Sequence, residues 1–216
     1  MTGIMLKDLR ETFFIKKNIL EWIVAIGLFL ILIITTPTKY VYCICIIGML
    51  SMVSVSVLQY SVEQDDVSGF DKIMLTYPLT IKEIILSKYM SGMLLQMAIF
   101  VLNFMMALLF SFGYKVIDFS MAMKIWFIGV ILSFLFMAVS YMMFFWLGSK
   151  KGLILYTIMV FILAIGYSVT YYNVDLSGLF NMNRVVLMSA GFLISVLALI
   201  GSYFVSLKIY TKNHIK

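Results

Sequence analysis

Charge is what this sequence has least of. Of its 216 residues only 12% are Asp, Glu, Lys or Arg, while 63% are hydrophobic. A soluble domain carries roughly 25% charged residues. The composition excludes a soluble globule and defines an integral membrane protein, with residues 1–216 as a single domain because no soluble domain fits in what remains. Histidine is almost missing, and His214 in the tail is the only one. The sequence holds no H-E-x-x-H zinc motif, no G-x-x-x-x-G-K-[ST] phosphate cradle and no G-x-S-x-G nucleophile elbow. It therefore offers no catalytic residues, no metal site and no cofactor site of its own, and is not expected to be an enzyme. Cysteine is scarce too. Cys43 and Cys45 both fall inside an apolar run, where thiols pack rather than form a disulfide or hold a metal.

The net charge of +6 invites a nucleic-acid reading. In so apolar a chain, positive loops that set membrane orientation explain it better, and no nucleic-acid partner is expected. A span needs about 20 mainly apolar residues. Six segments qualify, near 19–36, 40–60, 89–112, 121–147, 153–172 and 185–207. The fold class is all-α, with six transmembrane helices. "TTPTKY" turns the first two into a hairpin around Pro37. Tyr40, Tyr60, Tyr89, Tyr114, Trp126, Trp146, Tyr171 and Tyr172 fall near span ends, as an aromatic belt does.

Six spans put both termini on one side. Of the 16 Lys and Arg residues, Lys39, Lys115, Lys124 and Arg184 fall on one set of connections; the other twelve fall on the set that includes the termini. The richer side is expected to be cytoplasmic. In "MLKDLRETFFIKKN", Leu6, Leu9 and Phe13 recur at helical spacing with charges between them. This predicts an N-terminal amphipathic helix lying in the membrane surface.

One long connection stays out of the membrane, "EQDDVSGFDKIMLTYPLTIKEIILSKYM" from Glu63 to Met90. Ser68 with Asp71, and Thr80 with Glu83, fit capping boxes that start two helices. Leu79 and Ile84 have the spacing of a hydrophobic staple. Phe70, Ile73, Met74 and Tyr77 form an apolar stripe at i, i+3, i+4, i+7. Pro78 ends that helix, because an interior proline costs about 3 kcal/mol. The expected result is a short cytosolic helix over 69–77 whose apolar stripe docks into a partner's groove.

Ionisable groups are nearly absent inside the spans, and Glu21 and Lys124 lie close to span ends. This argues against an ion-driven carrier, which places acids at mid-membrane. Gln96 and Asn103 share one face of the third span and are expected to bond between helices, with a pathway role as the alternative. Gly191, Ser195, Ala198 and Ser202 form a small-residue stripe for close packing, within one subunit or across a dimer. The 18 methionines suit an adaptable apolar surface.

The run "DDVSGFDKIMLTYPLTIKEIILSKYM" resembles the first cytosolic loop of ABC-2 type permeases, the membrane subunits of one class of ATP-driven exporters. The resemblance rests on Asp66, Gly69, Phe70, Lys72, Leu75, Pro78, Thr80, Glu83, Lys88 and Tyr89. One departure is Ile81, which stands before Lys82 where many members have Arg or Lys. The resemblance implies that the short helix is a coupling helix and the N-terminal helix a connecting helix. It assigns Asp66, Gly69, Phe70, Asp71, Lys72, Ile73, Met74, Leu75, Tyr77, Pro78, Thr80 and Glu83 to contact with a separate ABC ATPase subunit. ATP and magnesium would sit on that partner. A second permease copy or a sister permease, and membrane lipid, would complete the assembly in a bacterial plasma membrane. The wording is most similar to permeases that export amphipathic toxin peptides such as phenol-soluble modulins, and related subunits confer resistance to bacitracin or lantibiotics. This implies a hydrophobic or amphipathic cargo. Two alternatives stay open: a stand-alone secondary carrier or channel, and a non-transporting immunity or adaptor protein.

Overall fold

The computed structural model describes residues 2–74, 76–173 and 184–214, without the side chains of 71, 72, 166–173, 184, 185, 213 and 214. Its order is α1 (Thr2–Phe14), α2 (Lys16–Thr35), α3 (Lys39–Ser68), α4 (Phe70–Met74), α5 (Ile81–Leu108), a π-turn (Leu109–Gly113), α6 (Phe119–Asn173) and α7 (Arg184–His214). Among the described residues there is no strand. Five helices among the described residues are long and apolar enough to cross a membrane, namely α2, α3, α5, α6 and α7. Such runs become helices because no water remains to satisfy an open backbone.

The fourth and fifth expected spans fall in one continuous element, α6. That element is broken at Gly148, whose φ of 74° and ψ of −174° lie in a region open essentially to glycine alone. In an unbroken helix, residues 136 and 156 would be about 30 Å apart along the axis. Instead the rings of Phe136 and Tyr156 meet with centroids 5.6 Å apart. The two limbs, 119–147 and 149–173, are therefore folded back on each other.

The core lies where α3, α5, the first limb of α6 and α7 meet. It contains Leu50, Leu58, Tyr89, Phe134, Met137 and Tyr141. The small-residue stripe of α7 packs inside the chain. Ser202 Oγ donates to the Ala138 carbonyl at 2.6 Å, and a Cβ on Gly191 would stand 3.4 Å from Ile131. Cys45 is buried and Cys43 half-buried, both as free thiols.

Two expectations change here. Of the residues expected in the aromatic belt, Tyr40, Tyr114 and Trp146 are exposed. The belt does not extend to Tyr60 and Tyr89, which are buried with hydroxyls bonded to Glu21 and to Ser202 and Ser206. The side chains of Tyr171 and Tyr172 lie outside the described residues. Gln96 does bond between helices, donating to Ser133 Oγ at 2.9 Å. Asn103 does not, because its amide donates to Ile99 O on its own helix.

Candidate functional site

The polar connection between α3 and α5 is shorter and more anchored than its sequence suggests. α3 does not stop at residue 60 but runs to Ser68. Gly69 ends it in the left-handed conformation, φ 66° and ψ 19°, with its N–H donating to Asp65 O. Ser68 is thus the last residue of one helix rather than the cap of the next. Its hydroxyl donates back to Gln64 O at 2.7 Å. The Ser68–Asp71 capping box is overturned by that glycine cap. α4 is correspondingly short, Phe70–Met74, and one further turn (Thr76 N–H to Ile73 O, Tyr77 N–H to Met74 O) leads to Pro78.

The second helix start holds as expected. Thr80 Oγ1 accepts from the Glu83 N–H, and Glu83 Oε2 accepts from the Thr80 N–H at 2.8 Å. Such a cap contributes about 1 kcal/mol. Leu79 packs on the cluster that contains Ile84, Met74 and Ile4.

The apolar stripe divides into two faces. Met74 is wholly buried against Ile4 of α1 and Ile84 of α5, and Phe70 packs on the same cluster. Phe70 also lies beneath the Lys7 ammonium, 4.4 Å from the ring centroid. Ile73 and Tyr77 are 48% and 49% exposed, with the Tyr77 ring centroid 6.4 Å from that of Phe70. Met74 therefore holds the helix to its own chain, and only Ile73 and Tyr77 of the four offer an apolar outer face. Leu75 and the side chains of Asp71 and Lys72 lie outside the described residues.

Behind α4 sits a group of charges that sequence reasoning missed. Lys88 of α5 donates to Asp65 Oδ2 of α3 at 2.6 Å and to Ser61 Oγ. Ser61 donates in turn to Asp8 Oδ1 of α1 at 2.7 Å. Lys7 pairs with Asp65 Oδ1 and Glu11. Asp8, Ser61, Asp65 and Lys88 are all within 2% of complete burial. Two buried carboxylates thus face two ammonium groups across three helices. Burial pushes the Glu11 carboxyl upward, against the pull of Lys7. The clue in the sequence was the four-residue spacing of Ile4, Asp8 and Thr12, the stripe that α1 turns inward. Leu6, Phe13 and Phe14 face outward, so this amphipathic helix presents its polar stripe to the protein and its oily side to the surroundings.

The neighbour of Lys88 points to the other side of the bundle. The Tyr89 hydroxyl bonds Ser202 and Ser206 of α7 at 2.7 and 3.0 Å, and its ring meets Tyr141 of α6 edge-on at 4.7 Å. Asp66 provides a third tie. Its carboxylate accepts from both the N–H and the hydroxyl of Ser149, the first residue after the Gly148 break. One turn of α3 and one of α5 thereby join α4 to α1, to α7 and to the α6 hairpin.

The chain matches a known protein family along almost its whole length. The family model described as ABC-2 family transporter protein covers residues 3–211. The chain belongs to that family. As an ABC-2 type permease it is a multi-pass membrane protein, a transport subunit of a family that is generally not catalytic itself and usually works with an ABC ATPase partner. Neither the curated proteins nor the solved structures contain a match.

Proposed function

We propose that this permease is the membrane subunit of an ABC exporter, driven by a separate ATPase that docks on the α4 segment. The observation that carries this reading is the division of the stripe: Met74 and Phe70 fix α4 to the bundle while Ile73 and Tyr77 stay half exposed beside it. A docking surface needs rigid support and exposed apolar anchors, and anchors of this kind supply most of the energy at interfaces. The two limbs of α6 act as separate crossings, giving six spans with both termini in the cytoplasm, in keeping with the lysine-rich side of the chain. α1 serves as the connecting helix in the membrane surface. A second permease copy or a sister subunit completes the transport unit, ATP and magnesium act on the partner, and the membrane is the bacterial plasma membrane.

In mechanism, ATP-driven closure of the ATPase pair pushes on α4. The push divides at Lys88–Tyr89 and at Asp66. It reaches α1 through the buried charges, α7 through the Tyr89 hydroxyl and the α6 hairpin through Ser149. The cargo is a hydrophobic or amphipathic molecule, such as a peptide toxin or peptide antibiotic. The test is co-purification with the ATPase. Ile73→Asp and Tyr77→Asp are expected to release it from a folded permease. Retention by both variants would remove the docking surface from the account.

A further inference from the structure

We propose that the cleft at the α6 reversal binds an anionic phospholipid by its phosphate. The cleft measures about 580 Å³ and is lined by the last turns of α3 and by both limbs of α6. Its walls are ordered as an amphiphile is. Lys150 and Lys151 are exposed at the start of the second limb. Leu153 follows Lys150 by three residues, on the same helical face and about 4.5 Å further along. Leu147 and the buried Phe144 of the first limb line the same cleft. Ammonium groups thus come at the rim, with a hydrocarbon wall one turn in.

The cleft lies at the level of lipid headgroups. A membrane element reverses where it leaves the hydrocarbon, and Gly148 is that point in α6. Trp146, two residues earlier, is 65% exposed, as an indole anchored at the interface is. The Asp66–Ser149 hydrogen bonds bring the end of α3 to the same level. Val67, next to Asp66, is there 79% exposed, the most of any large apolar side chain described. The glycerol and upper acyl region of a lipid headed by phosphate at the lysines covers it.

The charges left over decide the sign of the ligand. Three carboxylates stand around the cleft, and each is engaged: Glu63 by Lys17 at 2.5 Å, Asp66 by Ser149, and Glu21 by the Tyr60 hydroxyl at 2.8 Å. Lys16, Lys150 and Lys151 enter no ion pair among the described residues. Lys16, Lys17, Lys150 and Lys151 against those three acids leave one net positive charge, which the single charge of a phosphodiester matches. Asp71 and Lys72, whose side chains lie outside the described residues, are of opposite sign and leave the balance unchanged. Phosphate oxygens accept charge-assisted bonds from ammonium groups, and basic pockets between spans hold anionic headgroups in this way. A zwitterionic headgroup brings a further cation to a rim that is already cationic. Binding needs only the membrane setting and does not rest on the exporter reading.

The test is photo-crosslinking of the full chain in nanodiscs of one part phosphatidylglycerol to four of phosphatidylcholine. Leu153→benzoylphenylalanine reports on the cleft, and Ile154→benzoylphenylalanine, at a neighbouring position 61% exposed, reports on bulk lipid. Mass spectrometry of the adducts is expected to find phosphatidylglycerol enriched about tenfold over its share of the mixture at 153, and not enriched at 154. Lys150→Gln with Lys151→Gln is expected to return position 153 to the bulk ratio while the helical circular dichroism stays the same. Equal ratios at 153 and 154 would overturn the proposal, as would enrichment that survives loss of both lysines. Should the double variant fold poorly, the comparison of 153 with 154 decides. Enrichment abolished by excess inorganic phosphate would mean that the rim takes a free anion rather than a lipid. An adduct with the ATPase in place of lipid, from position 153 of the assembled transporter, would also contradict it. Loss of ATPase docking with enrichment intact would count against the exporter reading alone.

Discussion

Lys88 Nζ lies 2.6 Å from Asp65 Oδ2, with both side chains shut off from solvent. The pair joins the end of α3 to the first turns of α5 on either side of the α4 segment. Breaking a buried pair by removing one partner costs about 3–5 kcal/mol, because the other charge is stranded. Lys88→Met and Asp65→Leu are each expected to lower the melting temperature of the purified protein sharply. The double variant should lose less than the sum of the two. Strict additivity in a double-mutant cycle would show that the pair does not act as a unit.

Gly148 and Asp66 control the reversal in α6. A side chain at φ 74°, ψ −174° is strained by about 1–3 kcal/mol. Gly148→Ala is expected to destabilise the protein by that amount. Asp66→Ala removes the acceptor for Ser149 and is expected to raise hydrogen exchange at residues 149–152 without disturbing α7. Unchanged exchange there would mean that the reversal is held by other contacts.

Met74 is expected to behave as a core residue. Met74→Ala empties a fully buried site, and such truncations cost about 2–5 kcal/mol. Tyr77→Ala, on the exposed face, is expected to stay within about 0.5 kcal/mol of the parent. Thermal melts of the two variants check the assignment, and a reversed order would contradict it.

The Thr80 cap gives a smaller and cleaner prediction. Thr80→Ala is expected to cost about 1 kcal/mol, and Thr80→Ser nearly nothing. Both can be read from chemical denaturation in mixed micelles. Equal losses for the two variants would show that the hydroxyl is not what caps α5.

The all-helical, multi-pass character was legible in the sequence because apolar runs of that length have one stable backbone solution in lipid. Thr80, Glu83, Leu79 and Pro78 were legible because capping and proline chemistry are local. The end of α3 was not. Ser61 and Asp65 are polar, and a polar stretch suggests a loop unless its partners are known. Those partners, Asp8 and Lys88, come from two other helices. Ser68 with Asp71 satisfied the capping-box pattern, yet Gly69 beside it is also the residue that ends helices, and tertiary pairing of α3 decided between them. Helical spacing placed Phe70, Ile73, Met74 and Tyr77 on one stripe. It gave no means of seeing that α1 would cover Met74 and leave Ile73 and Tyr77 bare.

The central claim is that Ile73 and Tyr77 face a separate ATPase. A photo-reactive benzoylphenylalanine at position 73 or 77, in cells that also make the ATPase, tests it in place. The account predicts an ultraviolet-dependent adduct with the ATPase from both positions and none from position 14, on the outward face of α1. Adducts only with lipid or with the permease itself, in an assembly that still hydrolyses ATP, would contradict it.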